Sequence, residues 1–293
     1  MTAESTGVIH DLGYQRYTGE RLGRPAIVRA LTWYSLRAAF GLGRGAKAKI
    51  FPVSAFALIC APAVVNAFIV ARGGARAFPY DTYSSQVRIV VMTIFVAVQA
   101  PELVSRDLRS HVLPLYYARP LRRADYPLAK FAALAAACLV MIEVPLLLLY
   151  AGTIASAHGG AAVWAQTRAL LPGLGVGLMW SLLLAAIELA LASLSGRRAF
   201  ATGAVAGYLF LTSALATILT SVSGSGASAG AQLGGLVSPF TVLDGVRQWL
   251  GGTSPGLLTG VGGYGPAYGA MLLALLVATA AVLAARYRKA ALS

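Results

Sequence analysis

The chain has 293 residues, 58% of them hydrophobic and only 12% charged, with a mean hydropathy of +0.71; a soluble domain is about a quarter charged, so that class is excluded. A net charge of +14 would point to nucleic acid in a soluble protein, but these cations sit in short clusters between apolar runs, which favours topology and anionic lipid instead. The two cysteines, Cys60 and Cys138, lie inside apolar runs and offer neither a disulfide framework nor a thiolate metal site.

Residues 1–49 are polar and basic, with no cleavable apolar region. From Pro25, a residue suited to the first turn of a helix, Ile27, Leu31, Tyr34 and Ala38 recur at helical spacing. Arg29, Arg37, Arg44, Lys47 and Lys49 supply charge, with Trp33 and Phe40 nearby. This composition predicts an interfacial helix, with apolar atoms in the acyl boundary and cations toward headgroups; an ordinary cytoplasmic amphipathic helix is the plainer alternative.

Residues 50–293 read as a six-helix transmembrane domain. Six apolar runs, near 50–71, 86–104, 128–153, 170–194, 200–222 and 266–285, each approach the ~20 residues that cross a bilayer. Pro52 and Pro62 in the first and Pro145 in the third remove backbone bonds and predict kinks. Nineteen of the 24 lysines and arginines fall before run one, after runs two and four, and after run six. Cations are retained on the cytoplasmic side, so both termini are expected there.

The connection after run two, from Pro101 to Lys130, is unusually rich. It carries Arg106, Arg109, Arg119, Arg122, Arg123 and Lys130 against Asp107 and Asp125, together with Tyr116, Tyr117, Pro114 and Pro120. Leu108, Val112 and Leu115 can share one helical face, which predicts a short surface helix within the cytoplasmic segment 105–123. The bland alternative is a solvated loop that only fixes topology. Ser105-Arg106-Asp107, Leu113-Pro114-Leu115, Pro120, Arg123, Tyr126 and Lys130 together resemble the coupling segment of ABC-2 type transporter permeases, the membrane halves of ATP-driven exporters. The fuller Glu-Arg-Glu-x-Gly-Thr pattern of that family is not met; the chain reads Asp107-Leu108-Arg109-Ser110-His111-Val112.

The resemblance implies an all-α polytopic membrane protein of ABC-2 (type V exporter-like) architecture, with six transmembrane helices, an N-terminal elbow helix and a cytoplasmic coupling helix between spans two and three. It implies a multi-pass protein of the plasma membrane that dimerises with a second copy or a related permease. Separate ATP-binding cassette subunits would bind ATP and Mg, leaving no cofactor in this chain. Arg106, Asp107, Leu108, Arg109, His111 and Val112 would form the ATPase-coupling interface, and spans one, two and five would line the path. The expected cargo is hydrophobic or amphiphilic.

Residues 223–265 are Gly/Ser-rich and nearly uncharged, with an apolar helix-like piece, LVSPFTVLDGVRQWL. They are expected outside, either as a cap with short helices, which the resemblance favours, or as a flexible external loop. Within the spans, Glu143, Glu188, Gln99 and Arg88 stand out. A charge in hydrocarbon costs about 2.5–3.5 kcal/mol on insertion scales, so it should face protein or water. Glu143, Gln99 and Arg88 are candidate translocation-path residues, with a structural inter-helix hydrogen bond as the alternative for Glu143 and the favoured reading for Glu188. Gly173/Gly177 and Gly203/Gly207 have the small-xxx-small spacing of close helix packing.

The sequence GLGRGAKAK at Gly41 lacks the spacing of a phosphate-cradling loop. His10, His111 and His158 are isolated, so neither a metal cluster nor a catalytic triad is expected. Two other classes compete with the transport subunit. An ion-coupled carrier would show inverted repeats, and a lipid-modifying membrane enzyme would need a polar constellation near one membrane face.

Overall fold

The computed structural model describes residues 19, 22–74, 80, 86–110, 113–118, 120–222, 228–251, 257–258 and 260–290; the side chains of 86–88, 106, 108, 113, 117, 289 and 290 lie outside that description. Its elements, in chain order, are α1 (Arg24–Ala39), α2 (Ala46–Ala71), α3 (Gln86–Arg109), α4 (Leu113–Tyr117), α5 (Asp125–Ala155), α6 (Gly160–Ser193), α7 (Arg198–Val222), α8 (Ala229–Gly235), α9 (Pro239–Trp249), a 3-10 turn (Gly262–Tyr264) and α10 (Gly265–Ala290). No strand occurs among the described residues. Among the described residues, five helical stretches, Ala46–Ala71, Asp125–Ala155, Gly160–Ser193, Arg198–Val222 and Gly262–Arg288, are long and apolar enough to cross a membrane. The architecture is that of a polytopic helical membrane protein. The expected second span falls in α3, where a shorter apolar stretch, Ile89–Ser105, is found.

Helices α5 and α6 form the centre. The apolar window of α6 is 67% buried, whereas that of α7 is 17% and that of α10 only 11%. In lipid, helix pairs gain little from the hydrophobic effect and depend on close contact. Small residues provide it here: a Cβ at Gly152 of α5 would overlap Ala67 of α2, and one at Gly173 of α6 would press on Leu146 and Tyr80 at 3.2 Å. The Gly203/Gly207 pair behaves differently, because nothing lies within 4 Å of either Cβ position. Only the first of the two small-residue spacings is therefore used between helices of this chain.

Several expected boundaries move. Helix α6 begins ten residues before the apolar run, at Gly160, because Gln166 and Thr167 find partners: Tyr80 donates to Gln166 at 3.3 Å, and the Tyr150 and Thr167 hydroxyls are 2.7 Å apart. The prolines Pro52, Pro62, Pro101, Pro145 and Pro172 all lie inside helices. The single helix expected within 105–123 is divided. Helix α3 carries its first part to Arg109, and among the described residues of the rest of the segment five, Leu113–Tyr117, are helical. Proline suits the start of α4 at Pro114, but Pro120 blocks any continuation.

Gly23 precedes α1 as its N-cap, and Pro25 lies in the first turn. Its buried stripe is Leu31, Ser35, Ala38 and Ala39, and Tyr34, expected on that stripe, is exposed. The stripe packs on α5 and α3, so α1 is docked on the bundle, with Trp33 and Tyr34 turned outward. The turn into α2 requires glycine at Gly41, which has φ +68° and where a Cβ would strike the Ala48 backbone.

Residues 228–264 include an ordered cap. Ser228 and Ser238 accept from the backbone N–H groups of Ala231 and Phe240 at 3.2 and 3.3 Å, starting α8 and α9, and Pro239 opens α9. Helix α9 is buried from Pro239 to Arg247. Its Phe240 ring lies 5.1 Å from Trp180, about 30 Å along α6 from Gly160. The segment therefore reaches deep between helices.

Candidate functional site

Three carboxylates organise the end of the bundle where α1 begins and α3 and α10 end. Glu102 is paired with Arg44, from the turn after α1, and at 2.9 Å with Arg198 at the start of α7. One helical turn and a half further on, Asp107 accepts from the Lys130 ammonium at 2.8 Å and from the Tyr126 hydroxyl at 2.7 Å, both on α5. Asp125 receives the Arg24 guanidinium in a two-pronged pair, Nε at 2.7 Å and Nη2 at 2.6 Å, and also the backbone N–H of Arg122 at 2.8 Å. Parallel donation of this kind is the strong form of an ion pair. The Asp125 carboxylate holds the Arg24 guanidinium above its ordinary pKa, so the pair stays charged at any physiological pH.

The backbone end of α6 and a side chain of α10 join the same network. Ser105 donates to the carbonyl of Ala192 at 3.1 Å, and Arg286 donates to that of Ser193 at 2.9 Å. The last two turns of α3 are thus tied by side chains to the turn before α2, to α5, to α6 and to α7. A cavity of about 520 Å³ opens between α1, α3, α4 and α5, with Tyr34, Arg44, Glu102, Asp107, Tyr116 and Lys130 among its walls. Chemically, the arrangement can hold helix ends in fixed relation and transmit a displacement of α3. No group of three or more metal-ligating side chains occurs among the described residues.

The residues singled out in the sequence are distributed unevenly. Asp107 turns inward to Lys130 and Tyr126, whereas Arg109 is exposed. His111 and Val112, and the side chains of Arg106, Leu108 and Arg88, lie outside the described residues. Gln99 is buried in α3, about 12 Å along its helix from Asp107, while Glu143 is about 20 Å along α5 from Lys130; the two do not share one level. Sequence reasoning missed Glu102 altogether. A signal existed: an acid at the end of an apolar run, in a chain where cations cluster at three neighbouring connections.

Glu143 faces protein. Its carboxylate oxygens are buried and lie over Gly177 of α6, where an added Cβ would collide with Oε1 and approach Cδ and Ile142 Cγ2 to 2.9 Å. Gly177→Ala is expected to cost about 1–3 kcal/mol, as overpacking does, and about half of that in a Glu143→Ala background. Gly203→Ala, in open space, is expected to stay within about 0.5 kcal/mol of the parent. Unfolding of the purified chain in a double-mutant cycle checks this; equal costs for Gly177→Ala in both backgrounds would separate the glycine from the carboxylate. Glu188 is fully buried on α6, and neither oxygen has a hydrogen-bond partner among the described residues. The inter-helix hydrogen bond expected for it is not formed among the described residues.

No protein-family model matches the sequence, and no curated protein is significantly similar to it.

Proposed function

We propose that this chain is the membrane subunit of an ATP-driven transporter of the ABC-2 permease type, moving a hydrophobic or amphiphilic cargo outward. Partner ATPases would bind ATP and Mg and press on the end of α3 and on α4, and a second copy or related permease would complete the path. Both termini and the carboxylate network would face the cytoplasm of a plasma membrane, following the distribution of cations. The observation that carries the reading is the binding of the last two turns of α3 to α5, α6, α7 and the turn before α2 through Glu102, Ser105 and Asp107. A chain that lacks a phosphate loop must receive work by contact, and a push delivered at this point reaches three helices and a turn together.

A proton-coupled carrier is the second reading, favoured by the fully buried carboxylate of Glu188, which has no hydrogen-bond partner among the described residues. One experiment separates them. The full chain, purified from its native membranes, is expected to bring an ATP-binding cassette ATPase with it and to move cargo into vesicles only with ATP. Leu108→Asp with Val112→Asp should weaken ATPase recovery about thirtyfold, as loss of an interface anchor worth about 2 kcal/mol would, while membrane insertion is retained. Transport driven by a pH gradient without ATP would establish the carrier instead. Undiminished ATPase recovery and transport in the double variant would leave 105–123 as a topology signal only.

A further inference from the structure

A second cavity lies apart from the carboxylate network. It is a groove of about 590 Å³ on the side of the bundle, between the start of α5 and the second half of α10, with Ala186 of α6 at its floor. Phe131, Leu276, Thr279 and Leu283 line its length, and Arg123 and Arg288 stand at one end; none of its lining residues is acidic. Its volume is within the ~300–1,000 Å³ of small-molecule sites.

We infer that this groove binds one anionic phospholipid, with an acyl chain along α10 and the phosphate held between Arg123 and Arg288. The dimensions fit. Leu276 to Arg288 spans twelve residues of helix, about 18 Å, close to one half of a ~30 Å hydrocarbon core. Both arginines lie at the end of the bundle that carries the cation clusters, the level at which a headgroup sits, and the lining inward of them is uncharged. Polarity thus changes along the groove in the order that it changes along a lipid. Both arginines are exposed, so they are available to a ligand approaching from the bilayer. Tyr287, buried between them and the Tyr126 ring at 5.5 Å, links the groove to the helix that also bears Lys130. A zwitterionic lipid could fill the apolar part, but its choline would lie against two guanidinium groups. The expected occupant is therefore one of net negative charge. The inference rests on the membrane placement of the helices and not on the proposed transport function.

The test is lipid retention by the delipidated full chain in detergent, titrated with dioleoyl-phosphatidylglycerol or dioleoyl-phosphatidylcholine and counted by native mass spectrometry. The parent is expected to hold one phosphatidylglycerol roughly thirtyfold more tightly than phosphatidylcholine, each arginine contributing about fivefold near an anionic lipid. Arg123→Ala with Arg288→Ala should abolish that preference. Thr279→Trp, which fills the groove and keeps both arginines, should weaken both lipids. Equal affinity of the parent for the two lipids would overturn the inference without reference to any variant. So would an unchanged preference in the double arginine variant. Disulfide formation between two copies of Thr279→Cys in a bilayer would assign the groove to a second chain, and would overturn it as well.

Discussion

Replacing Asp244 by alanine is expected to loosen the entire cap and to lower unfolding free energy by about 3–5 kcal/mol. Its Oδ1 accepts from Arg247 Nε at 3.0 Å and pairs with Nη2 at 2.9 Å, while Oδ2 accepts from Gln248 Nε2 at 3.1 Å and from the Leu258 backbone N–H at 2.9 Å. Asp244 and Arg247 are each only 3% exposed, so water cannot replace the carboxylate once it is gone. Most of the cost comes from leaving a buried guanidinium without this counter-charge, and the attraction in the intact pair contributes less, because both ions are desolvated to form it. That distinction gives the control. Asp244→Leu combined with Arg247→Leu removes both charges and should recover most of the loss, whereas Asp244→Asn should fall between. Detergent-solubilised unfolding, followed by heat or by SDS titration, measures all three. An alanine variant within about 1 kcal/mol of the parent would mean that the cap is not held by this carboxylate.

The same logic applies at the other end of the bundle, with consequences for α3. Asp107→Ala is expected to cost about 3 kcal/mol. The Lys130 side chain is 5% exposed, against 19% for Asp107, so the loss leaves a buried ammonium and deprives the Tyr126 hydroxyl of its acceptor. The greater exposure of Asp107 puts the effect at the low end for buried pairs. Asp107→Leu with Lys130→Met should restore stability, since neither partner then remains charged. It should not restore any function that depends on α3 pulling α5. A stable but inactive double variant would therefore support transmission through this pair, whereas a stable and fully active one would reduce the pair to a packing device.

Much of the architecture was legible in the sequence. Apolar runs of span length mark helices because length and hydropathy are properties of a local window, and the cation clusters mark the connections for the same reason. The apolar piece LVSPFTVLDGVRQWL holds α9, which Ser238 and Pro239 start through local hydrogen bonding and a preset φ. Where local signals conflict, the reading was weaker. The polar start of α6 fell outside its apolar run, because Gln166 and Thr167 are satisfied by Tyr80 and Tyr150 from elsewhere in the chain. The surface helix expected within 105–123 was drawn from a periodicity that Pro120 and the end of α3 at Arg109 interrupt.

The sequence by itself determined the membrane class, the approximate helices and the segregation of positive charge. Only the tertiary structure decided which acid meets which cation. With 24 lysines and arginines and ten acids, every carboxylate has many conceivable partners, and some of those chosen are far apart in the chain, 101 residues for Arg24 and Asp125 and 58 for Arg44 and Glu102, while Asp244 takes Arg247 only three residues on. The choice depends on how each helix is rotated and how closely it packs, and that is set by contacts such as Glu143 over Gly177 or Gly152 against Ala67. A hydropathy profile carries no term for rotation about a helix axis, because α5 and α6 are apolar on all sides.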